Sequence, residues 1–249
     1  MPIKLWVIFL ALVAFPALQA RAGDSCAIQD TPCLIKTLDA LTASIPEDSW
    51  RDQTWREAAK LMAASGMIDE ALAIIPKIKT PDTQAMTIRS IGMAAAEAKL
   101  PKEKLDDLFA KLRIEADKIE HPPSHAIALT YIGMSQAFAG DDAGAMATSA
   151  SMTNVALRNK AYAETAEIQA ERNDLPAVIK SIAAIEDEGY RDKELGIITK
   201  IFSDRAQYEN AYEITKLIVN PYQKSQSLLY ILTKQIQPDK AHEQAAETP

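Results

Sequence analysis

The chain has 249 residues, with 34 acidic against 27 basic side chains and a formal charge of −7. That balance argues against nucleic-acid binding, which needs a basic face for the phosphates, and against a membrane-surface role, which needs lysine-rich amphipathic helices. Only eight glycines occur, and alanine, leucine, isoleucine, glutamate and lysine dominate, a composition that favours helix.

The chain opens MPIKLWVIFLALVAFPALQARAGDSC. Lys4 supplies a short positive region, Leu5 to Ala14 an almost unbroken apolar run, and Ala20-Arg21-Ala22 a small-x-small site. This is the layout of a secretory signal peptide over residues 1–22. The run is short against the roughly 20 residues of a spanning helix. Gly23-Asp24-Ser25 does not suit acylation of Cys26. Cleavage after Ala22 would leave 227 residues with a charge of −9, a product expected in the periplasm or outside the cell. No second segment is long and apolar enough to span a bilayer. Cys26 and Cys33 are the only cysteines. In an oxidising compartment they are expected to pair as a structural disulfide, because their spacing is not the C-x-x-C of a redox site.

Residues 23–53 are expected to hold that disulfide and one helix, near 31–43. Between 54 and 236 apolar residues recur at three and four, as in Leu105, Leu108, Phe109 and Leu112, which is helical period. Pro81, Pro101, Pro122-Pro123 and Pro221 fall between the periodic stretches, where proline is tolerated. Pro176 suits the first turn of a helix, and Pro76 should end or kink one. The punctuation predicts helix pairs. First members fall near 54–65, 84–98, 124–139, 155–171, 190–205 and 223–236; second members fall near 69–79, 102–119, 141–152, 174–187 and 208–219. Residues 237–249 read as a flexible polar tail.

The pairs resemble one another. GMIDEALAII (66–75), GDDAGAMATS (140–149) and AQYENAYEIT (206–215) each place an alanine five residues after a small residue: Ala71, Ala145 and Ala211. Aligned on Ala71, Leu105, Ala145, Ala177 and Ala211, the steps are 34, 40, 32 and 34, with the long step assigned to an insertion at EHPPSH. Ile91-Gly92-Met93 returns as Ile132-Gly133-Met134, and IITK at 197–200 returns as ILTK at 231–234. A step near 34 in helix pairs, with Trp55, Ala58, Ala59, Met62, Gly66, Ala71, Ile75 and Pro81 as the best copy, resembles the tetratricopeptide repeat. The resemblance implies an all-α solenoid of stacked antiparallel helix pairs, because one hairpin cannot bury its apolar face alone.

No catalytic constellation stands out. His121 and His125 in HPPSH have a zinc-compatible spacing only on a helix; Pro122 and Pro123 argue for an extended loop instead, so no metal or cofactor is expected. There is no G-x-S-x-G and no phosphate loop. Asp106–Asp107 and Asp141–Asp142 suit helix starts. Met62, Met93 and Met134 read as packing residues. What remains is surface. One place in the repeat, on the concave side, carries Lys60, Met93, Met134, Lys200 and Lys234, with Arg56 and Arg89 one turn earlier. Arg56, Lys60, Arg89, Lys200 and Lys234 are therefore the candidate groove, suited to a protein or peptide with an acidic segment or carboxylate. The expectation is an exported adaptor or scaffold of a cell-envelope assembly. The alternatives are an envelope enzyme on a helical scaffold, such as a peptidoglycan-acting hydrolase, and a purely structural subunit.

Overall fold

The computed structural model describes residues 26–237. The signal peptide expected at 1–22 and the tail beyond Gln237 lie outside the described residues. Within them the chain is all α-helix, with no strand. After α1 (Thr31–Ala43) come six long first helices: α2 (Asp48–Ala64), α4 (Pro81–Glu97), α6 (Pro122–Phe138), α8 (Val155–Glu171), α10 (Glu188–Asp204) and α12 (Pro221–Ile236). Between them lie the second helices: α3 (Ile68–Leu72), prolonged by a 3₁₀ turn at Ile75–Lys77, α5 (Lys102–Asp117), α7 (Asp142–Ala150), α9 (Leu175–Ala183) and α11 (Tyr208–Lys216). Pro76 sits in the 3₁₀ turn that ends the first hairpin, and Pro176 in the first turn of α9.

The period is 33 residues, not 34. First helices begin at 48, 81, 122, 155, 188 and 221, with one step of 41. The added residues fall mainly in α5, which has 16 residues where α7, α9 and α11 have nine each. HPPSH is thus no extended insertion. His121 is the N-cap of α6, and Pro122 and Pro123 open it, as Pro81 opens α4 and Pro221 opens α12. The first turn of a helix has N–H groups without intrahelical partners, so prolines there remove nothing the helix needs. Two other alignments shift by one. The fourth hairpin contact is the fully buried Val178, not Ala177. The ILTK echo is out of register, since Ile198 corresponds to Ile231, which is also buried. The Ile-Gly-Met echo keeps the register.

Each hairpin turns on a residue with positive φ: Gly66, Lys99, Gly140, Asn173 and Ala206. Each junction between repeats has its own chemistry. An apolar residue three positions before the first helix (Ile78, Ile119, Met152, Ile185, Ile218) is buried. From inside that helix, Arg51, Gln84, Arg158 and Arg191 each donate to the carbonyl six residues upstream, at 3.0, 2.8, 2.8 and 3.4 Å. The next residue along, Asp52, Asn159 or Asp192, accepts backbone N–H groups from the following junction at 2.7–3.2 Å. Backbone that no helix or sheet satisfies is satisfied here by side chains. Within a pair, buried Gln136 accepts from Thr148 and Gln169 from Ser181, both at 2.7 Å.

Successive first helices pack directly on one another, whereas successive second helices touch little beyond α3 with α5. Closer spacing on one side bends the stack, so the first helices form the inner wall of the α-solenoid. At its start Cys26 and Cys33 are joined by a disulfide, with Cα atoms 5.7 Å apart. Trp55 then fastens α1 to α2: it is buried and its Nε1 donates to Asp39 at 3.1 Å.

Candidate functional site

Each first helix from α2 to α10 is buried on three sides by its neighbours and its own second helix, and α12 only against α10 and α11. What is left open is one stripe, with residues spaced by three and four. Side by side, these stripes make the inner wall, and their chemistry changes along it. On α6 the stripe is apolar, Ile127, Tyr131, Met134 and Phe138, and on α4 it is mixed, Met86, Ser90, Met93 and Glu97. Met86 and Phe138 are each 40 % exposed. On α8 it is acidic, with Lys160 followed by Glu164, Glu167 and Glu171; on α10 it is Lys193, Ile197, Lys200 and Asp204. Met93 and Met134, expected to be packing residues, therefore face the groove in part, whereas Met62 is buried.

The five basic residues expected to share one wall fall into two groups, separated by α6 and α8. Arg56 pairs with Glu57 at 2.8 Å and reaches Met86 Sδ at 3.8 Å, and Arg89 stands over the Tyr131 ring at 5.4 Å. Lys60 is exposed on α2. These three border the apolar patch. At the other end Lys200 and Lys234 converge on Tyr230, both 5.5 Å from its ring. Lys234 is no groove lysine. It is buried, with its ammonium 2.5 Å from Asp204, and it lies one residue past the true repeat position, which is Thr233.

A 33-residue step also supplies a member of the series that sequence alignment passed over, Glu167. Its carboxyl lies beside Glu194 on α10, and Glu194 in turn lies beside the Tyr190 hydroxyl. Burial, then the charges of Glu194 and Glu164, push the Glu167 carboxyl up to about 7. Burial also raises Glu194, and the bond with Glu167 partly opposes that rise, so the two carboxyls share a proton. Burial, followed by the Glu194 charge, raises the Tyr190 hydroxyl. No motif marks these residues; counting the repeat correctly is the signal that finds Glu167.

The remaining chemistry-bearing side chains are structural. Ser124 is wholly buried, donates to Asp82 and bonds His121 Nδ1 at 2.7 Å. The hydroxyl stands between carboxylate and imidazole, so it ties α4 to α6 rather than presenting an oxygen to a substrate. His125 Nε2 meets Asp117 at 3.1 Å, beside a cleft of about 490 Å³ between α6 and the α7–α8 turn. Among the described residues no group of three or more His, Cys, Asp or Glu side chains is placed to hold a metal ion, and no helix is long and apolar enough to cross a membrane.

The chain matches no family model, and comparison with curated proteins and with solved structures returns no similar protein.

Proposed function

We propose that the protein is an exported, divergent tetratricopeptide-like adaptor that holds a protein or peptide partner along its inner wall, within a cell-envelope assembly. One observation carries this reading: six apolar side chains, three of them methionines and one a phenylalanine, are exposed or half-exposed on the inner faces of α4 and α6. Soluble surfaces seldom leave such a patch uncovered unless something binds there. Methionine adapts its shape to an apolar partner, and a solenoid's concave side is a long surface suited to an extended chain. Arg56 and Arg89 at the patch border suit an acidic group beside the partner's apolar anchors. The Lys4–Ala22 layout supports export, and a disulfide is consistent with an oxidising compartment. The binding role needs no cofactor and no catalytic residue.

The test is capture from the envelope of the native host with tagged protein, compared with a Met93→Asp/Met134→Asp variant. Both side chains are half-exposed, so the variant should melt close to the parent yet lose the partner. A variant that keeps the partner places binding elsewhere. Mass spectrometry of the native protein should find the mature N-terminus at Gly23; retention of Met1 to Leu18 would remove the export argument.

A further inference from the structure

Most buried or half-buried carboxylates in the molecule are answered by its own donors. Asp52 Oδ2 receives two backbone N–H groups and the Thr80 hydroxyl. Asp192 receives the N–H groups of Val219 and Asn220. Asp204 receives Lys234 and the Tyr230 hydroxyl. Glu194 differs. It is 4 % exposed and its Oε2 is buried with no hydrogen-bond partner; Asp52 Oδ1 is also unpartnered, but its Oδ2 takes three donors, whereas the groups beside Glu194 are the Tyr190 hydroxyl and another carboxyl, Glu167. Neither Glu194 nor Glu167 makes an ion pair with any of the described residues.

We propose that Glu167, Glu194 and Tyr190 form a receptor for a cationic side chain, the ammonium of a lysine or guanidinium of an arginine in the bound partner, whose place a proton takes when the partner is absent. This rests on the inner wall being the partner-binding surface. Two adjacent carboxyls in a half-buried site do not both ionise without a cation between them. A proton between Glu167 and Glu194 gives the pair a donor. A multi-donor cation does the same and can also meet Glu164, whose only pairing is a loose 3.6 Å contact with Lys160.

The charged surroundings leave room for such a cation. On α8 the neighbours are Lys160, Glu164 and Glu171. On α10 the sole cation beside the pair is Lys193, whose ammonium stands 5.9 Å over the Tyr190 ring rather than in an ion pair. The stripe of α6 presents Tyr131 and no charge, and that of α12 presents Gln226 and Tyr230. Asp142 of α7 is held by Gln169 and Arg172, and Lys180 of α9 is exposed to solvent. Access comes from the groove, since Glu164 and Glu167 are half-exposed. They occupy on α8 the repeat positions that Tyr131 and Met134 occupy on α6. A chain seated on the apolar patch therefore meets the receptor on the next helix.

Proton and cation compete, so binding of the cation should strengthen as pH rises through the range where Glu167 gives up its proton, about 7. The experiment uses N-acetyl-lysine methylamide as probe and the uncharged N-acetyl-norleucine methylamide as control. Glutamate side-chain ¹³C resonances of the full chain are followed at pH 5.5 and pH 8. The lysine probe should shift the Glu167 and Glu194 signals at pH 8 and bind roughly thirtyfold more weakly at pH 5.5; the norleucine probe should shift neither. Glu167→Gln keeps a donor for Glu194 and so keeps the fold. It should abolish the lysine response, as should Glu194→Gln. Equal binding at the two pH values, an equal response to norleucine, or a response that survives in Glu167→Gln overturns the proposal. If the lysine probe fails while Met93→Asp/Met134→Asp still loses its captured partner, the receptor falls and the inner-wall reading stands.

Discussion

Asp192 accepts the backbone N–H of Asn220 at 2.7 Å, and Asp52 makes the same bond to Thr80 at 3.0 Å. Both carboxylates are buried, and each reaches from the first helix of one repeat to the start of the next. Asn159 fills the same position with an amide that meets Glu186 N–H at 3.2 Å. The bond is thus the repeat's way of fixing the angle between consecutive pairs. Asp192→Ala would leave the part-buried N–H groups of Val219 and Asn220 without their charged acceptor and should cost about 2 kcal/mol. Asp192→Asn, which keeps one acceptor oxygen, should cost about 1 kcal/mol. Urea unfolding monitored by helicity checks both, and an alanine variant as stable as the parent would remove the junction from the stability account.

Gly92 and Gly133 occupy one repeat position but differ in crowding. A Cβ at Gly92 would lie 2.6 Å from Ser135 Oγ and 2.8 Å from Ser135 Cβ, whereas at Gly133 the nearest atom would be Ser149 Oγ at 3.5 Å. Gly92→Ala should therefore destabilise by about 1–3 kcal/mol through overpacking of α4 on α6. Gly133→Ala should be neutral or stabilising by up to about 1 kcal/mol, since alanine is the better helix former. Thermal melts should show a lowered midpoint for Gly92→Ala and an unchanged or raised one for Gly133→Ala.

Lys200 and Lys234 share a ring but not a role. Lys234→Ala removes a buried stem and leaves Asp204 without its ammonium, an expected loss of about 1–2 kcal/mol, reduced because the aspartate is half-exposed. Lys200→Ala, at an exposed position, should stay within about 0.5 kcal/mol of the parent. Equal melting temperatures for the two variants would contradict this division.

Glu167 gives stability a pH dependence of defined sign. Its folded-state pKa of about 7 lies above the ordinary 4.5, chiefly through burial and then through Glu194 and Glu164. The folded state then holds a proton that the unfolded state has released. The contribution is complete below about pH 4.5 and is lost as pH rises to and through about 7. Glu167→Gln cannot ionise, so it should melt higher than the parent at pH 8 and close to it at pH 5. A constant difference across that range would show that Glu167 carries its charge throughout.

Helix identity was legible from residue order because it rests on local physics. Period-3.6 apolar spacing, prolines between stretches and small residues at hairpin turns placed α8 at 155–171 and α1 at 31–43, the bounds the fold has. Second helices ended early, as in α9 at Ala183 rather than near 187, because the junction residues Ile185 and Glu186 bond to the neighbouring repeat instead of continuing the helix. The cysteine spacing likewise pointed to the disulfide. HPPSH misled because the first turn of α6 tolerates prolines that its middle would not.

Register and site are different in kind. A one-residue error in the period turns a helix by about 100°, and that error separates the groove-facing Thr233 from the buried Lys234. The sequence by itself determined helices, their pairing and their stacking, since these follow from spacing along one chain. Only the tertiary structure decided which stripe stays open. Burial of a first helix depends on the helices before and after it as well as on its own partner. The Glu167–Glu194 contact joins side chains on different repeats, across α8 and α10, and its proton is held by a low-dielectric environment that no local pattern encodes.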